Sequence, residues 1–280
     1  MKCGMPTAEG SQRTSCAPDR VSVRLLPRSV GLHQKGGKFA KVPIPGDSFL
    51  SLTPVIRRYI LVGMSARKNP KPGAARLRDP ERTRRRLLQA AFREVYRYGF
   101  QSAGIDTILA ATNVTKGALY YHFESKEALG YAIVEEIVAE LTRDRWLLPL
   151  QRSKDKNPID ALIAIVQAIP HRPRDVKGGC PLVNLTQEMS QLDEQFRKRL
   201  ERIFHAWQEG IAMTLRRGQS QGTVRRDLVP EETASFLVAM VEGYEVLAKN
   251  AQDAKVWNLG IRNIADWLNS LRAPGNRRRN

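Results

Sequence analysis

From Pro80 to Leu271 apolar residues recur three and four positions apart, and no segment shows the period of two expected of a strand. The pattern predicts an all-α protein. Asp79-Pro80 opens the first helix, with Asp as N-cap and Pro at the first helical position. Leu87, Leu88, Ala91, Phe92 and Val95 form its buried stripe to about Tyr98, and Gly99 supplies the stop. Ile105, Ile108, Leu109 and Ala111 predict a short second helix. Asn113-Val114 breaks that pattern, and Thr115 is a good N-cap for a third helix from Lys116 to about Phe123. A helix that short is not stable alone. Two short helices joined by a tight turn make a helix-turn-helix, whose second member is built to enter the major groove of DNA.

Beyond it the pattern stays helical. One helix is expected from Lys126 to about Trp146, ended by Pro149, with Leu129, Ile133, Ile137 and Leu141 as its stripe. A polar loop over 151–157 leads to an apolar helix from Pro158 to about Ile169. Pro170, Pro173 and Gly178-Gly179 predict a loop, followed by helices from Pro181 to about Gln191, Asp193 to about Gln219, Pro230 to Asn250 and Ala254 to Leu271. Residues 1–63 scatter Gly, Pro, Lys and Arg without a helical period, and are expected to be a disordered leader. The chain has no run of about 18 apolar residues, so no helix is expected to span a membrane.

Charge sharpens this picture. Residues 1–64 carry 10 Lys/Arg against 3 Asp/Glu, and 65–126 carry 13 against 5. Residues 127–271 carry 19 against 20, and 272–280 add 4 Arg. A basic head on a neutral body suits a phosphate-binding module joined to a sensor. Arg82, Arg84, Arg85 and Arg86 oppose the dipole of the first helix, which makes sense if a polyanion neutralises them. Three cysteines (Cys3, Cys16, Cys180) do not make a disulfide framework, so the cytosol is the expected compartment. The chain has no nucleophile elbow, zincin motif, P-loop or dinucleotide fingerprint, and an enzyme is not expected. Its four His (His33, His122, His171, His205) and Cys180 show no metal-ligand spacing, so neither a metal nor a cofactor is expected.

Reach and polarity assign roles in the third helix. Leu119 and Phe123, four apart, face the core, while Thr115, Lys116, Ala118 and Tyr120 face outward. Lys116 suits a phosphate or the acceptor edge of guanine, and Gly117 lets the helix N-terminus approach a phosphate closely. Thr107 in the preceding helix is a further candidate.

The run Thr115-Lys116-Gly117-Ala118-Leu119-Tyr120-Tyr121-His122-Phe123, then Ser125-Lys126-Glu127-Ala128-Leu129, closely resembles the signature of the TetR/AcrR family of bacterial transcriptional regulators. Two departures are Ala103-Gly104, where a polar capping pair is more usual, and Thr112-Asn113, where Ala-Gly is usual. Asn tolerates the left-handed turn nearly as Gly does. The resemblance covers roughly Pro80 to Leu271 and implies an N-terminal three-helix DNA-binding domain over 80–125 with a C-terminal helical bundle over 126–271 that binds a ligand and dimerises. Residues 1–79 would be a basic leader and 272–280 a basic tail. Met64-Ser65-Ala66-Arg67 resembles the start of many relatives, which leaves open whether the upstream residues belong to the protein.

By the same resemblance Tyr121, His122 and Lys126 contact phosphate, although His122 also suits a packed domain edge. The expected function is a cytoplasmic, nucleoid-associated regulator, a repressor that leaves a palindromic operator in double-stranded DNA when an effector binds. A non-specific basic nucleic-acid-coating protein is the alternative. The last two helices are expected to form the homodimer interface, through Phe236, Leu237, Met240, Gly243, Tyr244 and Leu247 on one and Val256, Leu259, Ile264, Leu268 and Leu271 on the other, although an intramolecular core is the alternative and some of these residues must face inward. Ile163, Gln167, Cys180, Asn184, Trp207, Ile211 and Tyr244 are the candidate lining of an effector pocket. Gly179-Cys180 resembles a pair by which some relatives sense electrophiles through a thiol. A helix N-terminus lowers a thiol pKa, but a small apolar side chain filling space is the favoured reading of Cys180.

Overall fold

The computed structural model describes residues 79–154, 156–169 and 176–275. Among them every regular element is helical, and the extended pairing is confined to one bridge between Val224 and Arg272. Expectations placed on residues 1–78 and 276–280 lie outside the described residues.

The head is α1 (Pro80–Tyr98), α2 (Ile105–Thr112) and α3 (Lys116–His122). The helix starts predicted from capping hold. Asp79 accepts from the Arg82 N–H at 3.0 Å, and Pro80 follows it. Gly99 ends α1 at φ 86°, a backbone state that suits glycine. Asn113 takes the left-handed state (φ 51°, ψ 40°), so the turn survives the departure from Gly. Thr112 before it is buried, and its hydroxyl donates to the carbonyls of Ile108 and Leu109. Leu87, Phe92, Ile108, Leu119 and Phe123 close the head core.

The body begins with α4, a continuous rod from Lys126–Ile133 to Leu148–Arg152, widened to π turns at Val134–Val138 and Arg143–Leu147. This corrects the expectation that Pro149 ends it. The Leu148 N–H bonds five residues back to Arg143, and this wider turn accommodates the proline ring that would clash in a regular α-turn. Then come α5 (Pro158–Gln167), α6 (Pro181–Met189), α7 (Glu194–Ser220), α8 (Pro230–Ala251) and α9 (Ala254–Ser270). Head and body share one core. Phe100 from the head meets Phe196 of α7 edge-on at 4.7 Å over Gly130, where a Cβ would lie 2.5 Å from both rings.

Two charge expectations are corrected by packing. Arg84 forms a two-pronged ion pair with Glu136 of α4, at 2.7 and 2.5 Å, and Arg86 donates to the Thr112 carbonyl at 2.6 Å. The protein itself engages these two, while Arg82 and Arg85 stay exposed. Arg272, assigned by charge to a tail, is only 3% exposed. It pairs with Asp160 at 2.5 Å, and the chain around it bonds to residues 223–225, so the folded body extends past Leu271.

Candidate functional site

The outer face of the head is built by α3. Thr115 accepts the Ala118 N–H at 3.2 Å and starts the helix. Leu119 and Phe123 are buried, as their spacing predicted, which turns the rest of the helix outward. Lys116, Gly117 and Tyr120 are exposed, Tyr121 is 80% exposed, and Ala118 and His122 are half-buried. The His122 ring packs edge-on to Tyr121 at 5.1 Å. A Cβ at Gly117 would meet nothing within 4 Å. Nothing inside the fold therefore requires a glycine there, and the space it leaves faces out of the molecule. Thr107 is also exposed, one helix back. Lys126 differs from the others. Its Nζ donates to the Gln101 carbonyl at 3.0 Å and lies 5.1 Å from the Phe100 ring centre, so it ties the head's first turn to α4.

Behind the head, α6 is held at both ends. The Glu188 carboxylate accepts the N–H groups of Phe100 and Gln101, both at 2.8 Å. At the other end Tyr96 of α1 donates to the Gly179 carbonyl at 2.8 Å. Gly178 makes that contact possible, because a Cβ there would sit 2.0 Å from the Tyr96 hydroxyl. Two hydrogen-bonded contacts thus join α6 to the head, one at Tyr96 of α1 and one at the turn that follows α1.

Cys180 is the N-cap of α6 and points inward. With Trp207 it lines a cavity of about 30 Å³, shared with Arg145 and Trp146 of α4 and Glu242 and Glu245 of α8. The thiol donates to Glu242 Oε1 at 3.3 Å, and Arg145 pairs with Glu245 at 3.3 Å. Burial, then the Glu242 and Glu245 carboxylates, push the Cys180 thiol well up, and only the Val183 N–H and Arg145 pull it down. Burial and the two carboxylates thus oppose the lowering that a helix N-terminus would give. Burial and Glu245 likewise push Glu242 up to about 8.

The remaining five pocket candidates do not gather at this cavity. Asn184 lies in an open cleft of about 430 Å³ between α1 and α6, where it donates to the Gly178 carbonyl and accepts from Lys249. Ile163 is half-buried and Gln167 exposed on α5, which packs on α7 and α9. Ile211 is wholly buried in the core. Tyr244 packs on Gly260 of α9, and its hydroxyl accepts from Asn263. A larger cleft of about 460 Å³ runs between α4 and α7, lined by Glu135, Glu140, Arg143, Arg199 and Arg202 among others. Sequence reasoning missed Arg145, Glu242 and Glu245. The signal was a carboxylate at 242 among the apolar residues Leu237, Val238 and Val241 of one helix face.

The last two helices divide their apolar residues. Leu237, Ile264, Leu268 and Leu271 are buried within the chain, with Val256 packed against them. These are the members of the two stripes that face inward, as some of them were expected to. Phe236, Val246, Leu247 and Leu259 remain exposed, and Phe236 packs edge-on to Trp267 at 5.1 Å. Among the described residues no helix is long and apolar enough to cross a membrane.

Comparison with known proteins agrees with this architecture. The model "Bacterial regulatory proteins, tetR family" matches residues 87–133, and "Tetracyclin repressor-like, C-terminal domain" matches 157–264. The HTH-type transcriptional repressor DhaR of Mycobacterium sp. (strain GP1) is 30% identical over 167 residues, 57% of this chain and 79% of that protein. The transcriptional regulator AcuR of Cereibacter sphaeroides is 28% identical over 193 residues, 66% of this chain and 85% of that protein. Among solved structures, a TetR transcriptional regulator from Chloroflexus aurantiacus superposes with a TM-score of 0.63 at 28% identity, covering 71% of this chain and 100% of the other. The reduced form of Escherichia coli NemR gives 0.58 at 25% identity, covering 68% and 97%.

Proposed function

The chain belongs to the TetR family of bacterial regulatory proteins and is a DNA-binding transcriptional regulator; from that premise we propose that it is a homodimeric repressor whose α3 helices read a palindromic operator. The observation that carries this reading is the face of α3, where Lys116, Gly117, Tyr120 and Tyr121 are exposed over a packed Leu119 and Phe123. Lys116 and Tyr121 contact phosphate or base edges, and the α3 N–H groups approach the backbone over Gly117. Thr115, Ala118 and His122 border this contact, and Thr107 reaches it from α2. Lys126 acts chiefly by fixing the head's first turn, consistent with its bond to Gln101.

One head covers too few base pairs for selectivity, and two must sit about 34 Å apart to meet successive major-groove faces. The exposed Phe236, Val246, Leu247 and Leu259 on α8 and α9 support a twofold four-helix interface. Residues 80–125 form the DNA-binding part, and the body from 126 onward senses and dimerises. We place the effector site at Cys180. Burial and two carboxylates raise the thiol, which disfavours an alkylating effector and favours a reversibly bound one small enough for the cavity of about 30 Å³ beside it. Movement of α6 then reaches α1 through Tyr96 and Glu188, and a few kcal/mol of mismatch between heads and operator is enough for release. The site of action is the nucleoid in the cytoplasm.

The test is binding to duplexes from the gene's own upstream region against unrelated duplexes at several salt concentrations. A preferred palindrome, bound as a dimer, is the expected result. Equal affinity for every duplex with a steep salt slope would instead mark a non-specific coating protein.

A further inference from the structure

The cavity beside α6 holds a set of donor atoms that distance along the chain conceals. Cys180 Sγ and one carboxylate oxygen each from Glu242 and Glu245 lie within 4.8 Å of one another. Glu242 is 8% exposed, and while its Oε1 accepts from the thiol, its Oε2 is buried with no hydrogen-bond partner. A buried carboxylate oxygen without a partner is costly, so the arrangement is incomplete as it stands. The cavity of about 30 Å³ is far below the roughly 300–1,000 Å³ of pockets for organic ligands, and has room for a single ion or water.

We propose that Cys180, Glu242 and Glu245 form a binding site for one thiophilic divalent cation, Zn²⁺ foremost, with Arg145 as its outer-shell partner. A thiolate with two carboxylates suits zinc, whereas magnesium and calcium take oxygen ligands alone. Bond lengths of about 2.0–2.3 Å place tetrahedral zinc ligands about 3–4 Å apart, so only a small closing of the set is needed. Charge balances as well. The thiolate and two carboxylates bring three negative charges, Arg145 offsets one at 3.3 Å from Glu245, and a divalent ion neutralises the remainder. The thiol proton is released to solvent when sulfur binds the metal. The regulatory consequence rests on the effector reading above, because drawing Cys180 onto α8 pulls on the Gly179 carbonyl that Tyr96 holds. Metal binding itself does not depend on that reading.

The experiment uses the full chain, reduced and freed of metal with a chelator that is then removed, and titrated with Co²⁺ and afterwards Zn²⁺. The expected result is one Co²⁺ per chain with a thiolate-to-cobalt absorption band in the near ultraviolet, displaced by Zn²⁺. The band should vanish in Cys180→Ser. Zinc affinity should fall by at least the roughly 10–100-fold that outer-shell partners contribute, both there and in the near-isosteric Glu242→Gln. Circular dichroism of both variants verifies that they fold. No band in the wild type overturns the proposal, and so does an equal band in Cys180→Ser, which would place the sulfur at Cys3 or Cys16. A band obeying both variants while operator binding ignores zinc supports the metal site and sinks the effector reading alone.

Discussion

Two short helices begin in the same manner and end in opposite chemistry. α3 starts at Thr115 and turns its first residues to solvent, whereas α6 starts at Cys180 and turns its first side chain into the core. Both carry the partial positive charge of a helix N-terminus, worth about 0.3–1 kcal/mol to a nearby anion. At α3 nothing opposes it. At α6 burial opposes it, and burial moves a pKa by up to about 3–5 units, each near 1.4 kcal/mol. Burial and two carboxylates push the Cys180 thiol up against it. A third helix start, at Asp193 of α7, shows the balance tipping back. Burial pushes that carboxyl up, but hydrogen bonds from Tyr131, Phe196 and Gln195 together hold it below its ordinary value. The effect of a helix N-terminus on a side chain is thus set by what surrounds it.

Substitutions on either side put this contrast to the test. The largest effect is expected on the buried side. Trp207→Ala removes a ring 4.7 Å from Trp146 and should cost about 3–5 kcal/mol in denaturant unfolding, with operator binding failing only as the fold does. On the exposed side the signature should invert. Lys116→Ala should leave stability within about 0.5 kcal/mol and lower the slope of log affinity against log salt by about 1. An unchanged slope would remove Lys116 from the phosphate contacts. Thr115→Ala should cost about 1 kcal/mol by leaving the Ala118 N–H uncapped, and should weaken operator binding through a frayed α3.

Smaller effects separate the starts of α6 and α7. The Asp193 carboxylate has a depressed pKa, so its stabilisation is present above the ordinary carboxylate range and is lost as pH falls through its folded value. Asp193→Asn should flatten that acid limb in pH-resolved melts. At Cys180 the sign is opposite. Glu242→Gln removes a carboxylate that raises the thiol, so peptide-resolved alkylation by iodoacetamide under chelating conditions should shift to lower pH. An alkylation profile unmoved by this substitution would leave burial and Glu245 to account for the raised thiol.

The helices of the head, their caps and the inward face of α3 were legible in the sequence, whereas the passage of α4 through Pro149 was not. Asp79-Pro80, Gly99, Asn113 and Thr115 act on backbone groups within four residues of themselves, and Leu119 and Phe123 are inward at a spacing that a single helix fixes. Only the tertiary structure decided which apolar residues of α8 and α9 stay exposed, how Arg84 and Arg272 are neutralised, and what surrounds Cys180. Glu242 and Glu245 come from more than sixty residues away, and Glu188 reaches the head across a similar gulf. Periodicity tells which side of a helix is inward. It does not tell which neighbour waits there, and the energies of buried charge depend on that neighbour.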